Sequence, residues 1–253
     1  MPLTLLPIPG VPLVRPGDDL AELLIRACGR GSVSPSNGDV LVVAQKVVSK
    51  AEGRYVDLAT VAPSARARSL AAEVDKDPRL VEVILGESQR VVRRRPGVLI
   101  VEHRLGFVLA NAGVDRSNVD PDAGNEPVLL LPRDPDASAA KLRARLEAHF
   151  GKTVAVVISD SWGRAWRQGT VGVALGAAGL PALMDLRGSP DLFGHELRVT
   201  QTGFADEVAS AASLLMGQAN EATPAILVRG LAWSGEPAPA LALIRPPEED
   251  LFR

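Results

Sequence analysis

The chain has 253 residues, with 28 lysines and arginines against 30 aspartates and glutamates, a net charge of −2 and a pI near 6.0, a balance that disfavours polyanions such as nucleic acid. Its one cysteine, Cys28, excludes an intramolecular disulfide and fits a reducing, cytoplasmic compartment. No apolar run approaches the roughly 20 residues of a membrane span, and Pro2, Pro7, Pro9 and Pro12 break an N-terminus that lacks the basic stretch of a signal peptide.

Pro16-Gly17-Asp18-Asp19 turns the chain and caps a helix with Leu20, Leu23, Leu24 and Ala27 on one face. Asn37-Gly38 is a turn signal before Asp39 to Gln45, whose unbroken apolar centre reads as a buried strand. The strand runs into Lys46-Val47-Val48-Ser49-Lys50-Ala51-Glu52-Gly53. Lys50 turned into a cleft would offset phosphate charge; turned outward it is an ordinary surface lysine.

Residues 64–74 and 78–85 read as short helices started by Pro63 and Pro78. Val91-Val92 and Val98 to Val101 then flank Arg93-Arg94-Arg95-Pro96-Gly97, the connection of a hairpin. With Arg90 these arginines form the one basic cluster, a solvated strand edge or else a phosphate anchor. An apolar run from Leu105 delivers Val114-Asp115-Arg116-Ser117-Asn118 to a loop. Asp120 to Glu126 is a polar loop, Val128 to Leu131 a short strand, and Asp134-Pro135-Asp136 starts a helix whose Ala139 to Phe150 portion closes at Gly151. Gly151-Lys152-Thr153 is not a Walker loop, because Leu146 stands where that motif needs glycine and the order here is helix to strand.

Val154 to Ile158 reads as a buried strand ending at Ser159-Asp160-Ser161, which puts Asp160 at a strand end, either as a cap or as a metal ligand. Gly169, Gly172, Gly176 and Gly179, with Ala174, Ala177 and Ala178, make a small-residue segment at helical spacing, suited to close packing on a helix or a second subunit. Trp162 and Trp166 share a face if their segment is helical, with core packing favoured over stacking on a purine or flavin-like ring. Residues 186–194 form a surface loop and 196–202 an alternating strand. Ala205 to Met216 is a helix with Asp206 and Glu207 suiting its dipole, followed by the polar Gln218-Ala219-Asn220-Glu221 and a last buried strand, Pro224 to Arg229. The proline-rich tail ends in Glu248-Glu249-Asp250-Leu251-Phe252-Arg253.

Three oxygen-rich loops, around Asp115, Asp160 and Gln218, contain no soft ligand, and His103, His149 and His195 are too far apart for a local zinc motif. Oxygen ligands suit magnesium or manganese. Two carboxylates brought to ~4 Å repel by on the order of 4 kcal/mol at an effective dielectric of about 20, and a cation would offset that. With Lys50, Arg164 and Arg167 as phosphate partners, the pattern points to a metal–nucleotide site.

Five stretches, in order, resemble the motifs of coenzyme F420-0:L-glutamate ligases, the GTP-dependent gamma-glutamyl ligases of deazaflavin coenzyme biosynthesis. They are Pro9 to Pro12 with Pro16 to Leu20, Lys46 to Gly53, Ala112 to Val119, Ile158 to Arg164, and Met216 to Gln218. The resemblance covers essentially the whole chain. It implies an α+β fold of mixed sheets with flanking helices in an intertwined homodimer. It also implies one ligase module over residues 1–253, or two lobes with no boundary marked in the sequence, and no nitroreductase-like C-terminal domain of the kind some relatives carry.

By the same resemblance Asp115 and Asp160 would hold a first divalent cation, Mg²⁺ or Mn²⁺, with Ser161 and Gln218 on a second and K⁺ as an additional cation. GTP would be lined by Val11, Pro12, Leu13, Val14, Gln45, Lys50 and Asn118, and by Met216, Gly217, Gln218, Ala219, Asn220, Glu221, Ala222 and Thr223. Lys50, Asp115 and Asp160 would form the catalytic set. GTP would activate the terminal carboxylate of the deazaflavin precursor as an acyl phosphate, and the amine of L-glutamate would attack it to form an amide, releasing GDP and phosphate. The partners implied are these small molecules, with neither nucleic acid nor membrane. Two departures stand out: Val171-Gly172 where the family commonly has threonine-aspartate, and Gln45 where serine is frequent. Gly172 favours the rival readings, a nucleotide phosphohydrolase or a ligase for another amino acid; a third is a non-catalytic dimeric nucleotide-binding protein.

Overall fold

The computed structural model describes residues 2–120 and 123–251. Pro121 and Asp122 of the polar loop at 120–126, Phe252 and Arg253 of the tail, and Met1 lie outside the described residues. The first half of the chain forms β1 (Thr4–Pro7), α1 (Leu20–Arg30), β2 (Val40–Ala44), α2 (Gln45–Ala51), β3 (Tyr55–Asp57), α3 (Ala65–Val74), α4 (Pro78–Gly86), β4 (Ser88–Arg95), β5 (Val98–His103) and β6 (Val108–Ala110). The second half forms β7 (Pro127–Leu129), α5 (Pro135–Phe150), β8 (Ala155–Arg164), β9 (Arg167–Ala178), β10 (Met184–Asp185), β11 (Gln201–Thr202), α6 (Phe204–Met216) and β12 (Ala225–Arg229).

Short polar side chains start the helices. Asp19, Ser64, Asp77 and Asp134 each accept a hydrogen bond from a backbone N–H in the first turn of α1, α3, α4 and α5. Gly151, left-handed at φ 61, closes α5. The mixed α+β architecture expected from the sequence is present.

The central sheet runs β1-β12-β2-β8-β9. Strands β2 and β8 are parallel neighbours, registered from Val40 opposite Ala155 to Ala44 opposite Ser159. The other pairings are antiparallel, so the ends of β1, β2 and β8 and the starts of β12 and β9 share one edge. Both faces of β2 and β8 are covered, which explains their continuous apolar runs. Leu41, Val43, Val156 and Ile158 pack with α1 and α5, and Val40, Val42, Ala155 and Val157 pack with α6. Asp39, 1% exposed, accepts hydrogen bonds from Nε and Nη2 of Arg229, which ties β12 to the start of β2.

The structure corrects the reading beyond Ile158. Strand β8 does not stop at Ser159 but continues to Arg164 and returns as β9, so Gly169 to Gly179 belong largely to a strand and Trp162 and Trp166 share no helical face. A bulge at Leu175, between the pairs Ile158–Gly176 and Ser159–Ala174, re-aims β9. Gly172 then faces α6, where a Cβ would stand 2.4 Å from the Ala209 carbonyl oxygen, and Gly176 faces α5, where a Cβ would stand 2.2 Å from that of Pro135. The small residues thus serve close packing, but of a strand on two helices of the same chain. Asp206 lies in the first turn of α6, as the dipole reading requires, and also accepts the Ala174 N–H at 2.8 Å.

The strand expected at 196–202 shrinks to Gln201–Thr202; ahead of it Leu197 bonds with Gly188 and Ser189 across a loop whose tip Asp191 turns by accepting the Phe193 and His195 N–H groups. A second core, with Leu58, Val74, Ile84, Leu99 and Val101, joins α3 and α4 to the β4-β5-β6 sheet. The basic cluster lies on β4, where Arg90 pairs with Glu102 and Arg94 with Glu73. Between the two cores, the nearly buried Glu87 takes Arg54 at 2.8 Å and Arg104 at 3.0 Å, with His103 Nε2 at 3.5 Å. No helix among the described residues is long and apolar enough to cross a membrane.

Candidate active site

The parallel pairing of β2 and β8 creates the site. Their carboxyl ends lie side by side, and ligands in sheets of this kind bind beyond such ends. Helix α2 leaves one of them with Lys46 and Lys50 four residues apart and therefore on one face. Asp160 leaves the other, one residue after β8 loses β2 as a neighbour.

Asp115 arrives from the second core by a backbone device. Asn111, Ala112 and Gly113 are all left-handed, at φ 54, 54 and 68. Ala112 in this region costs about 1–2 kcal/mol, a strain that sits at the rim of the site. The turn lifts the chain to β7, where Asp115 and Leu129 exchange backbone hydrogen bonds at 3.0 and 2.9 Å. The carboxylate of Asp115 then meets Lys46 Nζ at 2.7 Å and accepts from the Ser117 N–H at 2.8 Å. Lys46 also donates to the Ser117 carbonyl at 3.1 Å.

These elements line a cavity of about 870 Å³, large enough for a nucleotide. Val11 to Val14, Gln45, Lys50, Asn118, Asp115, Asp160, Ser161 and Met216 to Thr223 all border it, so the metal and GTP sets implied by the resemblance come to one place. Asn118 Nδ2 donates to the Ala219 carbonyl at 3.0 Å, which joins two of the loops. Gln45 is 4% exposed and donates to Ser49 Oγ at 2.6 Å, which roots the start of α2.

The cavity does not gather all that the sequence offered. Arg164 and Arg167 lie on the β8–β9 hairpin outside it, Arg164 donating to the Gly169 carbonyl, and Arg90 and Arg93 to Arg95 are also outside. Gly172 packs on α6 rather than on the cavity, so a polar contact at that position is not part of the wall. Sequence reasoning missed Lys46 as a partner of Asp115, although its helical spacing from Lys50 was the available signal. For Trp162 it ranked core packing above ring stacking, and the structure shows the side chain doing the first while placed for the second. That indole packs on Phe107 with ring centroids 5.6 Å apart, as a packing residue should, and also borders the cavity.

Electrostatics divide the two aspartates. Burial pushes the Asp160 carboxyl up to about 6, against the Ser161 N–H and the Lys46 charge that favour ionisation, and the Asp115 charge adds to the rise. Burial also acts on Asp115, but the hydrogen bonds from Lys46 and Ser117 outweigh it and hold the carboxyl below its ordinary range. Burial and the neighbouring Lys46 lower the Lys50 ammonium. The lining carries two lysines against four carboxylates, Asp115, Asp120, Asp160 and Glu221, so a polyphosphate would enter an anionic cavity unless cations accompany it.

The donors suit hard divalent cations. Among the described residues no three His, Cys, Asp or Glu side chains converge, so a cation here would take few protein carboxylates and leave room for substrate oxygens. Ser161 Oγ donates to Gln218 Oε1 at 2.7 Å, close to the roughly 3 Å that separates neighbouring oxygens on a magnesium ion with bonds of ~2.1 Å.

The chain is similar to known proteins along its whole length. The coenzyme F420:L-glutamate ligase of Methanopyrus kandleri is 49% identical over 251 residues, covering 98% of this chain and 96% of the relative. That of Methanothermobacter thermautotrophicus is 45% identical across the full length of both chains, and that of Archaeoglobus fulgidus 44% identical over 100% of this chain and 97% of the relative. The profile of the F420-0:Gamma-glutamyl ligase family matches residues 10–230, and the chain belongs to that family of ligases.

Proposed function

We propose that the protein is a GTP-dependent, Mg²⁺- or Mn²⁺-requiring ligase that joins L-glutamate to the deazaflavin precursor coenzyme F420-0. The observation that carries this reading is the convergence of Lys46, Lys50, Asp115, Asp160 and the Gln218 loop at one sheet edge. Family membership supplies the substrate class, since the relatives are named for this ligation.

Divalent cations held by Asp115 and Asp160, with Ser161 and Gln218, would supply positive charge to the polyphosphate. Lys50 and Lys46 add the protein's own charge beside them. An oxygen of the substrate carboxylate attacks the γ-phosphorus, the bond to GDP breaks, and an acyl phosphate forms. The amine of glutamate then attacks the acyl carbon, loses a proton and expels phosphate, leaving an amide.

Exposed apolar side chains support the homodimer. Leu192 and Phe193, 98% and 86% exposed, stand together at the turn that Asp191 organises, and Trp166, 86% exposed, tips the β8–β9 hairpin. The rival phosphohydrolase reading drew on Gly172, which borders α6 and not the cavity. Incubation with GTP, divalent metal, L-glutamate and coenzyme F420-0 is expected to give GDP and a product heavier by one glutamyl unit. No mass change from folded protein would overturn the proposal.

A further inference from the structure

We infer that Trp162 forms the wall on which the planar, π-rich ring of the acid substrate binds, at the opposite end of the cavity from the nucleotide. The inference rests on the ligase reading and adds a direction to it. The loops that line the cavity hang from successive strands of one sheet in the order β1, β12, β2, β8, β9. With neighbouring strands ~4.8 Å apart, the edge from β1 to β9 spans roughly 19 Å. Val11 to Val14 follow β1 and Ala219 to Thr223 lead into β12, so these proposed nucleotide residues occupy one end, while Gln218 of the same loop reaches Ser161 at the centre. Lys46 and Asp160 lie centrally, and Trp162, Gly163 and Thr170 occupy the β9 end.

Chemistry separates the two remaining substrates. Glutamate brings two carboxylates, and the only cations lining the cavity among the described residues are Lys46 and Lys50, both central. The β9 end offers Trp162, Gly163 and Thr170, with Leu109 and Ala110 from β6, and none of these is charged. An extended conjugated ring suits that surface and a dicarboxylate does not. Trp162 lies two residues beyond Asp160 on the same strand, hence on the same face and ~7 Å further along. Phe107 holds the indole at an interplanar angle of 54°, so the ring is positioned before any ligand arrives. Gly163 beside it adds no side chain to crowd the ring.

The test is equilibrium binding of coenzyme F420-0, followed by the polarisation of its own fluorescence without turnover. Trp162→Ala is expected to weaken that binding about tenfold, and Trp162→Phe by no more than about threefold. Mn²⁺ and GTP affinities and the thermal unfolding midpoint should match wild type. Unchanged precursor binding in folded Trp162→Ala would overturn the inference, as would equal weakening of GTP and precursor, or a rise in the KM for glutamate alone. Wild-type protein that binds no precursor would overturn the ligase reading together with it. Wild-type binding with an indifferent Trp162→Ala would overturn this inference only.

Discussion

Asp160 and Asp115 are chemically alike and environmentally opposite, and that difference sets the expected pH response. Burial raises Asp160 to about 6, so a divalent cation must displace its proton below that pH and need not above it. Mn²⁺ affinity, measured by electron paramagnetic resonance, should rise about tenfold per pH unit up to about 6 and then level. Asp160→Asn should remove this dependence and lower ligation on the order of a thousandfold. Both aspartates were legible in the sequence, since lone carboxylates among small residues after apolar runs are conspicuous. Lys46 was not, because its meaning depends on the 2.7 Å contact with Asp115, 69 positions away in sequence. Trp162 read as packing for a similar reason: one indole can pack and line a cavity at once, and sequence spacing does not distinguish the two.

Elements carry the next level of constraint. Gly172 and Gly176 let α6 and α5 approach β9 to distances that admit no Cβ, and the obstacles there are backbone atoms that cannot swing aside. Gly176→Ala should therefore destabilise the fold by about 2–3 kcal/mol, read in a urea titration as a lowered midpoint. The helix starts were legible because a cap is a local event: Asp19, Ser64, Asp77 and Asp134 each act within three residues. The far end of β8 was not local. Its last residues break the apolar run with polar groups, a tryptophan and a glycine, and they remain a strand because β9 folds back on them. Glycine and alanine recurring through 169–179 satisfy a helical or an extended spacing equally, and the bulge at Leu175 blurs the period further.

At the scale of the whole molecule, Glu87 joins the two cores. Burial alone would raise its carboxyl, but His103, Arg54 and Arg104 outweigh burial and hold it below its ordinary value of 4.5. A carboxylate with a depressed folded pKa stabilises the fold above its unfolded value, and that contribution is lost as pH falls through the folded one. Acid unfolding should therefore steepen below pH 4.5, and Glu87→Gln should blunt that limb while costing about 3 kcal/mol at neutral pH. Light scattering should give twice the 26.6 kDa chain mass for the proposed dimer, with Leu192→Asp plus Phe193→Asp returning the monomer. Partnership between copies is the least legible property of all, because exposed apolar residues in a loop look the same in sequence whether or not they meet a second subunit.

The parallel pairing that ends at Ala44 and Ser159 also divides the protein by timescale. Amide protons of β2 and β8, hydrogen-bonded in the middle of the sheet and covered on both faces where the strands pair, should exchange with solvent deuterium only when the whole molecule opens. Those at 116–118 and 217–223 hang beyond that floor on turns and side-chain hydrogen bonds, and should exchange through small local openings. Occupancy of the cavity then has a footprint that needs no turnover: slowed exchange at the rim, above a floor whose clock is set by global stability.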